Sequence, residues 1–183
     1  EMRVRSRKIS LCALLIVVLA NFASCNRGDN SRLRSVGSLP EFDAISSDGT
    51  KVSSVSFANR PLVVAFFDIE SAAAWRSLAE LEKIGQQRSD VHIGYLGIGG
   101  TKSSNQPVDV NSAKREYGIT FPVISTNSAL PKLFGTPDCC DYIMMFDEKG
   151  ALRASRRLSQ SPISAGSILS ALAENKMMSP PDS

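Results

Sequence analysis

The amino-acid sequence predicts an α/β domain, a central mixed sheet flanked by helices with a β-hairpin added at its amino end. Three observations carry that prediction. Leu62-Val63-Val64-Ala65-Phe66-Phe67 is an unbroken apolar run of β-branched and aromatic residues, as a strand buried on both faces requires. After it, Trp75, Leu78, Leu81 and Ile84 recur every third residue, which gives one apolar helix face with Arg76, Glu80 and Lys83 turned to solvent. Val91 to Ile98 supplies a second strand, and strand, helix, strand at this spacing is a right-handed unit whose two strands run parallel. At 183 residues, 43% apolar and 21% charged, the chain can fill one core but not two, and it is too apolar for a disordered class.

The elements follow in order. Arg3, Arg5, Arg7 and Lys8 precede an apolar run from Leu11 to Ala20, too short to span a bilayer as a mature helix but fitting the apolar region of a secretory leader. The run ends in Asn21-Phe22-Ala23-Ser24-Cys25, small residues before a cysteine, which resembles a bacterial lipobox with Phe22 in place of the usual aliphatic residue. The expectation is a lipoprotein-type signal over residues 1–25 with Cys25 lipidated. A cut nearby, or an uncleaved anchor, are the alternatives, and each still exports the domain. Residues 26–40, mostly Ser, Arg, Gly, Asp and Asn, read as a flexible tether.

The folded domain is expected over residues 41–176. Glu41 to Ile45 alternates apolar and polar residues, and Asp48-Gly49 before Thr50-Lys51-Val52 signals a hairpin. Past the second strand, a polar loop from Gly99 to Asp109 leads to a short helix over Asn111–Tyr117, capped by Asn111, and then to the extended Thr120-Phe121-Pro122. A further short helix is predicted over Ala129–Phe134. Tyr142–Phe146, the turn Asp147–Gly150 and Ala151–Ser155 make a second hairpin, and Ser164–Lys176, with Ile168, Leu169, Leu172 and Ala173 on one side, a closing helix. Residues 177–183 are read as a disordered tail.

Charge and cysteines narrow the function. Residues 1–24 hold four basic residues and Glu1, which account for the whole formal charge of +3, so the rest of the chain is formally neutral. Only Arg153, Arg156 and Arg157 cluster, and a solvated edge-strand face explains them; no nucleic-acid partner is expected. Of four cysteines, Cys12 falls within the leader and Cys25 is the lipidation candidate, which leaves Cys139 and Cys140 for chemistry. Adjacent cysteines close no long loop, so this is not a disulfide-stapled fold.

The order of elements resembles the thioredoxin fold. The stretches "LPEFDAISSDGTKVSSVSF", "RPLVVAFFD", "ELEKI", "YGITFPVI" and "FDEKGAL", from Leu39 to Leu152, resemble one branch of it, the TlpA-type thiol:disulfide oxidoreductases and the wider redoxin group with alkyl hydroperoxide reductase and thiol-specific antioxidant proteins. That resemblance implies a Cys-x-x-Cys pair at the first turn of the helix after the buried strand, where unpaired N–H groups and the helix dipole lower a thiol's pKa. Counting back from Glu80-Leu81-Glu82-Lys83 puts the pair at Ser71 and Ala74. Neither is cysteine, and a serine oxygen forms no disulfide.

Ser71 is therefore read as a helix N-cap. The single histidine, His92, at the start of a strand, offers neither a triad nor a metal site. The resemblance also implies a cis-proline just before the Tyr142 strand; Asp141 stands there, and Pro137, four residues earlier, is either an alternative alignment or a turn proline. Cys139-Cys140 has three readings: a strained, labile disulfide, a soft-metal pair, or two small packed thiols.

The expectation is an exported protein on the periplasmic side of a bacterial envelope, lipid-anchored through Cys25, whose lost dithiol site leaves a binding or scaffolding module for a protein partner. The alternative is an oxidoreductase with Cys139 and Cys140 as its catalytic pair. A peroxiredoxin-like antioxidant is weaker, because no cysteine lies between Cys25 and Cys139. No cofactor and no metal are expected.

Overall fold

The structure, a computed structural model, describes residues 37–101, 108–125, 129–136, 141–158 and 163–173. The expected leader with Cys25, residues 26–36 of the tether, the tail, Pro137 and the pair Cys139-Cys140 lie outside the described residues.

The chain opens with a hairpin of β1 (Asp43–Ile45) and β2 (Lys51–Ser53), paired antiparallel with Ala44 opposite Val52, followed by a 3-10 turn over Ser54–Phe57. The main sheet contains β3 (Leu62–Asp68), β4 (Gly94–Gly100), β5 (Val123–Ser125), β6 (Tyr142–Phe146) and β7 (Leu152–Arg157), in the order β5-β4-β3-β6-β7. β3, β4 and β5 are parallel, and β6 and β7 join antiparallel, so the sheet is mixed as predicted. The helices are α1 (Ala72–Gln87), α2 (Val110–Tyr117), α3 (Ala129–Leu133) and α4 (Ala165–Ala173).

The period-two geometry of β3 divides its apolar run between two cores. Val63, Ala65 and Phe67 join Trp75, Leu78 and Leu81 of α1 with Val110 of α2 and Ile168 of α4. Leu62, Val64 and Phe66 join Phe134, Phe146 and, from the amino-terminal extension, Phe42, Val52 and Phe57. Burying each large side chain contributes about 1.5–3 kcal/mol, so β3, covered on both sides, is the axis of the domain. Room for Phe67 and Ile69 comes from Gly97 and Gly99 on β4, where a Cβ at Gly99 would collide with Ile69 Cγ2.

The extension reaches both edges of the sheet. Leu39 N–H donates to Gly150 O at 2.7 Å and Leu152 N–H to Gly37 O at 3.1 Å, with Ser38 bridged to Ala151 at the start of β7. At the opposite edge, Ser47 N–H donates to Val123 O of β5 at 2.8 Å. Between these points Phe42 and Val52 cover the second core.

The boundaries differ from the sequence reading in two instructive places. β4 starts at Gly94, not Val91. Residues 89–91 form a 3-10 turn closed by the Arg88–Asp90 ion pair, and His92 is an exposed residue at φ 51° that ends this turn. The cap of α2 is Asp109, not Asn111: its carboxylate accepts from the Asn111 and Ser112 N–H groups at 3.0 and 3.1 Å. Asn111 lies inside the helix and spends its Nδ2 on Ser47 O, 2.8 Å away.

Candidate functional site at the head of the first helix

In a sheet whose strand order reverses beside β3, the crevice beyond the carboxyl ends of the parallel strands is where α/β proteins place their chemistry. Here that end is the turn from β3 into α1. Asp68 shapes it twice: its Oδ1 accepts from Glu70 N–H at 3.0 Å, and its carbonyl accepts from Ser71 N–H at 3.0 Å. Ile69 N–H reaches across to Gly100 O at 3.0 Å. Ser71 is in extended conformation, φ −90° and ψ 108°, and its Oγ accepts the Ala74 N–H at 3.3 Å. It is the helix N-cap that the sequence predicts.

The turn is pinned from below by Trp75. Its indole Nε1–H donates to Ile69 O at 2.9 Å, its ring meets the Phe67 ring edge-on at 4.9 Å between centroids, and it stacks on Tyr117 at 6.1 Å. With Trp75 3% exposed, this is a fixed floor rather than a mobile flap. Glu70, Ala72 and Ala73 face solvent, and Ser71 and Ala74 are half-buried. The first helical turn thus brings together the two positions at which the resemblance implies a dithiol, and it presents there a hydroxyl already committed to a backbone N–H and a methyl group.

Asp141 lies beside the same end of β3. Its N–H donates to Phe66 O and its carbonyl accepts from Leu158 N–H, both at 2.9 Å, and its φ is +110°. Proline has no N–H and its ring fixes φ near −65°, so it could satisfy neither the bond nor the angle found here. No cis peptide occurs among the described residues. Next to Asp141, Tyr142 pairs with Phe66 and carries the Arg157 guanidinium over its ring at 5.8 Å. Arg156 and Arg157 are exposed on β7, an outer strand of the sheet, whereas Arg153, the third of the cluster, is partly buried and paired with Asp147.

His92 belongs to the other end of the molecule. It precedes the amino end of β4, whereas Ser71 follows the carboxyl end of β3, and the two parallel strands of seven residues separate them by about 20 Å. Ser71 therefore has no imidazole base. Among the described residues no group of three or more His, Cys, Asp or Glu side chains could hold a metal ion.

Two buried charges escaped the sequence reading. Glu82, 9% exposed, faces inward from α1 and accepts from Thr120 N–H at 2.9 Å, Thr120 Oγ1 at 2.6 Å, Phe121 N–H at 3.4 Å and Gln86 Nε2 at 3.2 Å. Its place seven residues after Trp75 put it on the apolar face, and that is the signal its charge obscured. Near it the Tyr95 hydroxyl is buried without a hydrogen-bond partner among the described residues, and burial, with the Glu82 charge adding, pushes its pKa up. Lys114, 7% exposed, pairs with Asp48 at 3.4 Å. The Ser46 hydroxyl, then the Thr50 N–H, hold the Asp48 carboxyl well below the usual range.

Neither a protein-family profile nor a curated protein matches the chain. Solved structures do. A thiol:disulfide interchange protein of the thioredoxin family from Chlorobium tepidum is 19% identical, covering 74% of this chain and 95% of its own, with a TM-score of 0.62. The fold is thioredoxin-like. A secreted disulfide oxidoreductase of Mycobacterium tuberculosis is similar over 79% of this chain and 98% of its own, at 13% identity and a TM-score of 0.58. An exposed lipoprotein thioredoxin of Streptococcus pneumoniae covers 73% and 98% at 16% identity, with a TM-score of 0.56. The thioredoxin-like fold places the α1 head and Asp141 on one end of the sheet.

Proposed function

We propose that this chain is an exported, lipid-anchored thioredoxin-like protein whose dithiol site has lapsed, leaving a module that binds a protein partner through the face around the α1 head. One observation carries this reading: the Ala74 N–H that would stabilise a thiolate at the helix head is taken by the Ser71 hydroxyl, and position 74 has no thiol. Export rests on the basic-then-apolar leader and on Cys25, and the secreted and exposed character of two similar proteins supports it. Among the described residues no helix is long and apolar enough to cross a membrane.

A second reading keeps the chemistry and moves it. Asp141, bonded to Phe66 O at the carboxyl end of β3, directly follows Cys140 in the chain. In this reading Cys139 and Cys140 give up two electrons and two protons to a partner's disulfide, forming their own bond as the partner's becomes two thiols. Alkylation mass spectrometry across a glutathione redox series separates the two. Cysteines that stay reduced, or label only after unfolding, fit the binding module. A reversible two-electron transition near the potential of the compartment overturns it in favour of the relocated pair.

A further inference from the structure

We infer that the outer surface of the second core, made by the hairpin, the 3-10 turn and α3, rests on the membrane that holds the lipid. Ile45, Val55 and Leu133 enter its boundary between headgroups and acyl chains. The inference rests on the lipid anchor at Cys25 proposed above. Among the described residues the exposed large aliphatic side chains are these three, 63%, 79% and 52% exposed. Scattered singly they would need no explanation, but all belong to elements that cover the second core, and they meet around Phe42. Phe42 and Ala44 pack inward, so the alternation of β1 turns Ile45 outward, opposite Lys51. Ser54 N–H, next to Val55, donates to Phe42 O at 3.0 Å. The Phe134 ring, next to Leu133, lies 5.9 Å from the Phe42 ring.

The entry of the chain into the fold identifies a bilayer as what covers them. Gly37 and Leu39 bond to the start of β7, and Leu39 packs against the second core, so the segment from Cys25 joins the fold on this face. Cys25 precedes Gly37 by 12 residues, a reach of at most about 40 Å. An anchor that short holds the domain at the bilayer, where a contact too weak to retain a free protein still sets its orientation. Exposed Lys51, Arg60 and Lys132 stand beside the three side chains, and exposed Glu41 and Asp43 share the hairpin. These charges nearly balance, so the contact is made through apolar area, with the cationic stems lying along it. α1 packs on the opposite face of the sheet, which keeps its head clear of the lipid.

The test is indole emission from the lipidated full chain in vesicles of phosphatidylethanolamine and phosphatidylglycerol whose acyl chains carry bromine, a quencher. Trp75, the single tryptophan of the chain, is 3% exposed and gives a constant background. Leu133→Trp is expected to lose emission relative to the same vesicles without bromine. Glu80→Trp, on the exposed side of α1, is expected to lose none, and it controls for the preference of an indole for the interface. Equal loss at the two positions overturns the inference. So does no loss at either in a chain whose intact mass carries the lipid, a result that assigns the face to a protein partner instead. A mass without lipid overturns the anchor reading, and the inference with it. Should Leu133→Trp fail to fold by circular dichroism, Val55→Trp is read by the same criteria.

Discussion

Two helices of the domain begin on capped turns, and the caps differ in charge. At α2, Asp109 accepts two backbone N–H groups and the Ser112 hydroxyl, at 2.6 Å, and these bonds, the hydroxyl's foremost, hold its carboxyl below the usual range. At α1, a neutral serine oxygen takes a single N–H at 3.3 Å, and the first turn contains no acid. The cap of α2 therefore puts a carboxylate on the positive end of the helix, whereas the acids nearest α1, Asp68 and Glu70, stand before a neutral cap. A helix head with a neutral cap beside the end of β3 is what a thiolate site needs. The head of α1 therefore keeps a neutral cap at the place where the thioredoxin-like fold brings a helix end against β3.

The largest way to break that comparison is to remove the floor of the α1 turn. Trp75→Ala deletes a buried indole and its bond to Ile69 O, and the expected loss is about 3–5 kcal/mol in urea unfolding. A loss under about 1 kcal/mol would mean that the turn is held by its own hydrogen bonds alone.

Next in size is the introduction of sulfur. In Ser71→Cys/Ala74→Cys the thiol at 71 occupies the N-cap with the positive helix end behind it, so it should titrate below the ordinary cysteine value of about 8.5. Asp68 and Glu70 lie just outside the helix and pull the other way, which limits the shift. The pH dependence of its alkylation rate reads the pKa directly. A midpoint at or above about 8.5 would show that the α1 head does not favour a thiolate.

The α1 head was legible in the sequence because everything that makes it is local. The apolar run, the three-residue spacing and the serine before the helix lie within some twenty residues, and they gave β3, the α1 face and the Ser71 cap. What was misread depends on contacts far along the chain. Asp109 and Asn111 are equally good caps by composition, and only the reach of Asn111 to Ser47, 64 positions away, assigns the role to Asp109. Val91-His92-Ile93 alternates like a strand, but the parallel register fixes Gly94 opposite Leu62, and the Arg88–Asp90 pair turns the preceding residues aside. Glu82 was obscured by its own charge, since its partners, Thr120 and Phe121, come from a different element. That positions 71 and 74 are serine and alanine was visible in the sequence; that the Ser71 hydroxyl occupies the Ala74 N–H was not.

The smallest effect gives the sharpest test of the two caps, because one titrates and the other does not. Ser71→Ala removes a single half-buried bond and should cost about 0.5–1 kcal/mol, equally at every pH. Asp109 behaves otherwise. Its folded pKa lies below its unfolded value of about 3.9, so its contribution is fully present above that value and disappears as pH falls through the folded pKa. Asp147, lowered by the Ala151 N–H and Arg153 in spite of its burial, adds to the same acid limb. Asp109→Asn should therefore destabilise at pH 7 and lose that difference progressively as pH falls below about 4, whereas the difference between Ser71→Ala and the parent stays flat. Parallel curves for the two variants would mean that the Asp109 cap works by geometry alone, and the contrast in charge between the two helix heads would have no energetic content.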